Sequence, residues 1–146
     1  MQAAVVTERP VAPRLEELPA APFSVGDDPT AEARLALPIS AETGAQSTLV
    51  YLEVDPGKRI PLHTHSAEEI FVVIAGEGIV TAGDEQWSAS EGAIAVAPAF
   101  VPHGWENTGS ETLKLVGFLP ANVLLHGFED AVAPFGASRF VTPLPA

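Results

Sequence analysis

The sequence has no cysteine among its 146 residues, which excludes disulfide bonds and thiolate metal ligands. No run of about 18 apolar residues occurs, so we expect no transmembrane helix. Residues 1–19 mix charges with prolines and lack the apolar segment of a secretory signal. Basic residues are few, 7 against 19 acidic ones, and the formal net charge is −12. The lack of cysteine and of a secretory signal makes a cytoplasmic location the expectation. Because such an acidic surface repels phosphate backbones, we expect no nucleic-acid partner, and without a transmembrane helix we expect no membrane partner.

Helix-forming segments are scarce as well. Five of the first 30 residues are prolines, which forbids a long helix there, and no segment with the helical period precedes residue 120. Residues 1–32 are interpreted as a Pro-rich N-terminal arm that lies over the core or a partner subunit; a partly disordered tail is the alternative. Residues 33–120 are predicted to form one β domain, and residues 121–146 an extension that packs on it.

Short β-prone runs dominate the predicted domain. Glycine and acidic turn residues separate runs at 33–40, 47–54, 69–75, 78–83, 85–90, 92–97, 103–108 and 112–118. Hydrophobic residues make up 47% of the chain, enough for a real core. Many short strands at this spacing predict an all-β fold, either a sandwich or a barrel.

Two of the four histidines, His63 and His65, are one residue apart, so they face the same side of an extended segment. Glu69 opens the next strand and shares a face with its apolar residues, where an ionised carboxylate is costly unless paired or metal-bound. Imidazole and carboxylate groups together suit divalent first-row metals. His103, after a bend between two prolines, is the best candidate for a fourth ligand. One or two coordination positions would stay open for substrate or dioxygen.

Two segments resemble the two motifs of the cupin family. The first reads Gly57-x5-His63-Thr64-His65-x3-Glu69-x6-Gly76, and the second reads Gly92-x5-Pro98-x4-His103-x3-Asn107. The motifs are 15 residues apart, the short gap of small single-domain members. One fixed position departs: cupins usually carry glycine two residues after the proline, and this sequence has Phe100.

The resemblance implies a single-domain jelly-roll β-barrel, also called a double-stranded β-helix. It implies one divalent metal ion inside, held by His63, His65, Glu69 and His103. The family uses iron, manganese, nickel, zinc, copper or cobalt, and the sequence does not choose among them. Its activities include those of dioxygenases, decarboxylases, isomerases, epimerases and lyases, and some members only bind ligands. The resemblance also points to a homodimer, as do exposed sheet edges.

Several aromatic residues are candidates for a substrate pocket. Trp105 shares a face with His103 and either walls the pocket or packs as a core or rim residue. Phe71 lies on the strand that Glu69 opens. Phe100 is expected at the pocket mouth, and because it cannot adopt a left-handed conformation cheaply, the loop before His103 should differ from the usual shape. Tyr51 is either a catalytic acid or base or a hydrogen-bonded core tyrosine.

Other polar residues near the motifs have two interpretations each. Glu68 alternates away from Glu69 and is expected to face solvent, with a role as substitute ligand as the alternative. His126 is expected to pack or lie on the surface, or else to reach the pocket from the C-terminal extension. Lys58 and Arg59 either bind an anionic substrate or are surface turn charges.

The inward-facing candidates on the strands are mainly apolar. Such a pocket suits a small hydrophobic or aromatic molecule that chelates the metal through oxygen atoms. The first hypothesis is therefore an oxygenase-type enzyme that resembles quercetin dioxygenases, in which Glu69 is also catalytic because it leaves the metal and takes a proton. A redox-neutral isomerase, cyclase or lyase is the second hypothesis, and a non-catalytic binding protein is the third.

Overall fold

The structure is a computed structural model that describes residues 13–143; residues 1–12 of the predicted arm and 144–146 of the predicted extension lie outside the described residues. The described chain has two short 3₁₀ helices, Leu15–Glu17 and Ala41–Thr43. Its twelve strands are β1 (Ala21–Val25), β2 (Glu32–Ile39), β3 (Thr48–Val54), β4 (Arg59–His65), β5 (Glu69–Ala75), β6 (Glu77–Ala82), β7 (Glu85–Ser90), β8 (Ile94–Ala97), β9 (His103–Asn107), β10 (Leu113–Leu119), β11 (Leu124–Ala133) and β12 (Ala137–Thr142).

The strands form one antiparallel sheet that curls into a nearly closed barrel. Its order is β7-β6-β9-β4-β11-β1-β2-β3-β10-β5-β8, and β12 pairs with β11. Hairpins join β1 to β2, β2 to β3, β6 to β7 and β11 to β12. The other pairs, such as β4 with β9 and β5 with β10, join strands distant in sequence. This confirms the all-β jelly-roll barrel. Between residues 13 and 143, no helix is long and apolar enough to cross a membrane.

Four strands lie where no strand was assigned from the sequence. β4 carries the two motif histidines, and its proline and polar residues hide the apolar pattern of a strand. β1 comes from the predicted arm and pairs with β2 and β11. β11 and β12 come from the predicted extension, and β11 pairs with β4. These strands complete the barrel wall beside the histidines.

The barrel interior is built by two-residue alternation along the strands. On β3, Val50, Leu52 and Val54 are buried in the core, and on β10, Leu113 and Leu115 are fully enclosed. Against this apolar background, buried polar side chains stand out because each must find a partner. The buried acidic and basic side chains among the described residues are those of His63, Glu69 and His103.

The loop before β9 corrects the expectation for Phe100. Its φ is 62°, so Phe100 adopts the left-handed conformation that glycine usually supplies. The Phe100 N–H donates a 2.8 Å hydrogen bond to the carbonyl of His65, and the Val101 N–H donates to Pro98. These bonds hold the strained residue, whose conformation costs about 1–2 kcal/mol. The loop therefore keeps this backbone conformation without the glycine.

Candidate metal centre

Four side chains from three strands meet inside the barrel. His63 of β4 is the cross-strand partner of His103 on β9, His65 ends β4, and Glu69 begins β5. One ligand atom from each lies within 4.8 Å of the others. His103 is 1% exposed and Glu69 is 2% exposed. The long-range pairing of β4 with β9 and the one-residue spacing of the two histidines thus bring together the four residues that were predicted to bind metal.

Backbone carbonyls orient two of the imidazoles. Nδ1 of His63 lies 2.8 Å from the carbonyl of Pro61, and Nδ1 of His103 lies 3.0 Å from the carbonyl of Val101. Since a carbonyl oxygen only accepts hydrogen bonds, Nδ1 carries the proton in both rings. In the neutral rings, the lone pair of Nε2 is then left for the common centre.

The charge state of the cluster favours a cation. Burial raises the pKa of Glu69, but its contacts with His103 and His65 outweigh burial and lower it. Burial and the neighbouring imidazoles hold the pKa of His63 well below its usual range. Oε1 of Glu69 lies 2.9 Å from Nε2 of His65 and 3.3 Å from Nε2 of His103. The Glu69 carboxylate and the Nε2 atoms of rings whose Nδ1 carries the proton, His63 and His103, therefore turn lone pairs toward one another, an arrangement that a bound cation stabilises.

The donor set fits a divalent transition metal. Three imidazole nitrogens and one carboxylate oxygen suit ions from manganese to zinc, with room for further ligands on an octahedral ion. Glu68 is exposed and is not part of the cluster, in agreement with its expected solvent-facing position. Gly117 on β10 lies against Glu69 and leaves the space that its carboxylate occupies.

A cavity of about 110 Å³ opens beside the cluster. His63, His65 and Glu69 form part of its wall, and most other lining residues are leucine, valine, isoleucine and phenylalanine. Phe71 and Trp105 both line it, with their rings 5.1 Å apart and edge to face. Within the described part of the chain, Trp105 Nε1 is the buried side-chain polar atom without a hydrogen-bond partner.

Two predicted site residues lie elsewhere. Phe100 does not line this cavity, and its side chain is 60% exposed, because the left-handed turn carries it outward. Tyr51 alternates away from Val50 and Leu52, which do line the cavity. The Tyr51 hydroxyl donates a 2.7 Å hydrogen bond to Glu53. Burial and, to a smaller extent, the contact with Glu53 raise the pKa of Tyr51. This geometry favours the interpretation of Tyr51 as a hydrogen-bonded core tyrosine.

The β11–β12 hairpin supplies residues that the motifs did not indicate. His126 is the cross-strand partner of His65, and their Nδ1 atoms are 2.8 Å apart. Nε2 of His126 lies 2.6 Å from Oγ1 of Thr142 on β12. Burial, and then the charge of His65, lower the pKa of His126 to about 4. Of the two interpretations of His126, the structure supports the one in which it reaches the pocket.

Aromatic rings of the same hairpin cover the cluster. Phe128 stacks on His63 with a centroid distance of 4.7 Å and an interplanar angle of 6°. Phe140 stacks on His126 at 5.0 Å and on Phe135 at 4.2 Å. One sequence feature indicates that these side chains lie together: His126 and Phe128 are two residues apart, as on one face of a strand.

The charged residues beside the first motif are engaged at the surface. Nζ of Lys58 lies 2.8 Å from Glu32, and Arg59 forms a 2.7 Å ion pair with Asp28. Neither Lys58 nor Arg59 lines the cavity beside the cluster. The interpretation as surface turn charges is therefore the one that the geometry favours.

Comparison with known proteins points to one family. The family model of the cupin domain matches residues 50–119. An uncharacterized protein of Methanocaldococcus jannaschii is 31% identical over 74 residues, a match that covers 50% of this chain and 59% of that protein. The chain thus matches about three fifths of the length of that curated relative.

Solved structures share the barrel at low sequence identity. A predicted oxalate decarboxylase from Thermotoga maritima has a TM-score of 0.66 and 22% identity, over 75% of this chain and 97% of that one. The polyketide cyclase RemF from Streptomyces resistomycificus has a TM-score of 0.63 and 21% identity, over 76% of this chain and 79% of that one. An uncharacterized protein with a double-stranded β-helix domain from Klebsiella pneumoniae has a TM-score of 0.63 and 20% identity, over 86% of this chain and 96% of that one. Identities this low show the fold alone.

Proposed function

The chain belongs to the cupin superfamily, and from this premise we propose that it is a metal-dependent enzyme with oxygenase-type chemistry on a small apolar or aromatic metabolite. The observation that carries the proposal is the position of the cluster of His63, His65, Glu69 and His103 at the wall of an apolar cavity. A bound metal ion would supply Lewis acidity or electron transfer to dioxygen at this wall.

The cavity constrains the substrate. Its volume of about 110 Å³ is somewhat below the ~150 Å³ of an apolar cavity that accepts benzene, so the enclosed part of the substrate is about one small ring. The apolar lining excludes water and favours a hydrophobic ring, while oxygen substituents would face the cluster. The unpaired N–H of Trp105 offers a hydrogen-bond donor to an oxygen of the substrate, because buried donors are normally paired.

Glu69 is the residue that we propose as the acceptor of a proton from the substrate. Glu69 is the carboxylate at the cavity wall, and its oxygen lies within reach of two imidazoles. A substrate hydroxyl that enters the cavity would meet this acceptor, so Glu69 would take the hydroxyl proton as the substrate binds as an anion. Phe71 and Phe128 would hold the ring of the substrate by packing.

Oxygen uptake tests the proposal. Protein purified without added metal would first be analysed for its metal content. Samples loaded with Fe²⁺, Mn²⁺ or Ni²⁺ would then be assayed with catechols and hydroxy-substituted aromatic acids in an oxygen electrode. We expect uptake that needs both metal and substrate and that Leu52→Phe, which fills the cavity, abolishes. Ile70→Phe, on the half-exposed outer face of β5, is the matched control. Substrate conversion without oxygen uptake would contradict the oxygenase.

A redox-neutral cyclase, isomerase or lyase is the second candidate. The observation that favours it is His126, an additional imidazole at the cavity wall next to His65. Acid–base chemistry would need such a group near the substrate. However, both of its ring nitrogens are engaged, by His65 and Thr142, so the oxygenase remains the first proposal.

The homodimer and the cytoplasmic location stay predictions. β7 and β8 are the two ends of the described sheet, and an open edge is usually covered. Ile94 and Val96 on β8 are 73% and 50% exposed, which supports a partner at this edge. Light scattering of the purified protein would give the mass of one or two chains, and Val96→Asp should shift a dimer toward the monomer.

A further inference from the structure

The three imidazoles of the cluster are not held in the same way. His63 and His103 each contact a backbone carbonyl two residues earlier through Nδ1. His65 has no such carbonyl partner; its Nδ1 contacts the side chain of His126. The orientation of one of the four candidate ligands therefore depends on a side chain, and that side chain comes from outside the 50–119 region that the family model matches.

We propose that His126 is a positioning residue of the metal centre: it accepts the Nδ1–H of His65 and thereby turns Nε2 of His65 toward the metal. The proposal rests on the proposed function in so far as that function requires metal at the cluster. The Nδ1 atoms of the two rings are 2.8 Å apart, a hydrogen-bond distance. In a neutral imidazole one nitrogen donates and the other accepts, so one of the two rings must accept at Nδ1.

The ligand role of His65 decides which ring accepts. A metal ion at the cluster would take the lone pair of His65 Nε2, which lies 2.9 Å from Glu69, so His65 would carry its proton on Nδ1 and His126 would accept it. Nε2 of His126 lies 2.6 Å from Oγ1 of Thr142, and this hydroxyl oxygen can accept the Nε2–H of His126. Thr142, His126 and His65 thus form a chain that supports both tautomers without a net charge.

The hairpin also fixes the His126 ring in space. The ring stacks on Phe140 at 5.0 Å and meets the His65 ring edge to face, with an interplanar angle of 88°. His126 is the cross-strand partner of His65, so the backbone of β11 and β4 sets the distance between them. Because both of its nitrogens are engaged, His126 acts through His65 and is not itself a metal ligand.

Metal affinity of matched variants tests the role. His126→Phe keeps an aromatic ring against Phe140 and removes the acceptor, whereas His126→Asn keeps an acceptor oxygen near the position of Nδ1. We expect the affinity for Co²⁺, measured by competition with a chelator, to fall about 10- to 100-fold in His126→Phe, with a changed visible spectrum. His126→Asn should recover most of the affinity. Leu125→Ala, at an exposed position next to His126 on β11, is the control and should bind Co²⁺ as the wild type does.

The outcomes separate this inference from the proposed function. Equal Co²⁺ affinity of wild type and His126→Phe would overturn the positioning role alone, as would failure of His126→Asn to recover affinity. A wild-type protein that binds no Co²⁺ would overturn both the metal centre and the role of His126.

A second measurement needs no variant. Long-range ¹H–¹⁵N spectra of the Zn²⁺-loaded protein at pH 8 assign the tautomer of each imidazole. We expect the Nδ1–H form for His65 and the Nε2–H form for His126. The Nδ1–H form of His126 in the loaded protein would overturn the inference even if His126→Phe failed to fold.

Discussion

Gly117 lies directly against Glu69: a Cβ built on Gly117 of β10 would overlap Oε2 of the carboxylate. The two residues belong to neighbouring paired strands, and Gly117 is the cross-strand partner of Phe71, which follows Glu69 by two residues on the same face. The cluster therefore needs a residue without a side chain at this position, because the carboxylate has no other space on that side.

We predict that Gly117→Ala displaces Glu69 and weakens metal binding. The added methyl group meets a carboxylate and also the side chain of Val50, and such overpacking costs about 1–3 kcal/mol of unfolding free energy. Urea unfolding and Co²⁺ titration would measure the two effects. Val116→Ala on the same strand, whose side chain points to the other face, should reduce stability and leave Co²⁺ affinity unchanged. Gly117→Ala with wild-type affinity would contradict the packing argument.

We predict that Glu69→Gln separates metal binding from folding. In the metal-free protein the glutamine amide can donate to a facing Nε2 lone pair, so the variant should unfold at the same or a higher urea concentration than the wild type. In the wild type, Co²⁺ at about 100 times its Kd should add about 2.7 kcal/mol of stability because it binds only the folded state. The increment should vanish in Glu69→Gln, and its persistence would contradict the role of Glu69 as a ligand.

The sequence was sufficient for the all-β class and for three of the four candidate ligands because these follow from local rules. The spacing of His63 and His65 places them on one face in any extended segment, and Glu69 lies on an apolar face where a carboxylate requires a partner. His103 needed one long-range assumption, that β9 folds back beside β4, and the cupin motifs supplied it. The strand pairing bears this out.

The rest of the site depends on strand pairings and contacts that local sequence patterns do not predict. His126 reaches His65 because β11 pairs with β4, a strand about 60 residues earlier in the chain. The local feature that points to this position is the two-residue spacing of His126 from Phe128. The sequence left two interpretations of Tyr51 open for a related reason: only the fold shows Glu53 as the partner of its hydroxyl. Phe100 shows that tertiary hydrogen bonds can override a backbone preference.

We predict that Phe100→Gly stabilises the protein. Glycine adopts a φ of 62° without strain, which recovers about 1–2 kcal/mol, while the greater freedom of glycine in the unfolded chain takes back about 0.4–1 kcal/mol. The net gain in unfolding free energy should be about 0.5–1 kcal/mol. Phe100→Ala is the matched control, since it removes the exposed ring and keeps the strain. If both variants change stability equally, the ring and not the backbone is responsible.

We predict that Arg34 stabilises the outer face of the barrel in a pH-dependent way. Its guanidinium donates two hydrogen bonds to Asp55, at 2.6 and 2.9 Å, and a third to Glu53 at 3.0 Å. The Arg34 contacts lower the pKa of Asp55. Burial raises the pKa of Glu53, but hydrogen bonds from Tyr51 and Arg34 outweigh it, so that pKa is lowered too. These carboxylates therefore titrate at lower pH in the folded protein than in the unfolded chain.

The sign of the pH effect follows from this difference. A carboxylate with a lowered folded-state pKa contributes stability that is complete above its ordinary pKa, about 4, and that is lost as the pH falls through the lowered value. Arg34→Met should therefore cost about 1 kcal/mol at pH 7, a figure discounted for partial exposure, and much less at pH 3. Arg59→Met, which removes an exposed pair with Asp28, should cost less at pH 7. Urea unfolding at both pH values measures the difference. If Arg34→Met lowers the free energy of unfolding equally at pH 7 and pH 3, then packing of the arginine side chain stabilises this face, and its charge does not.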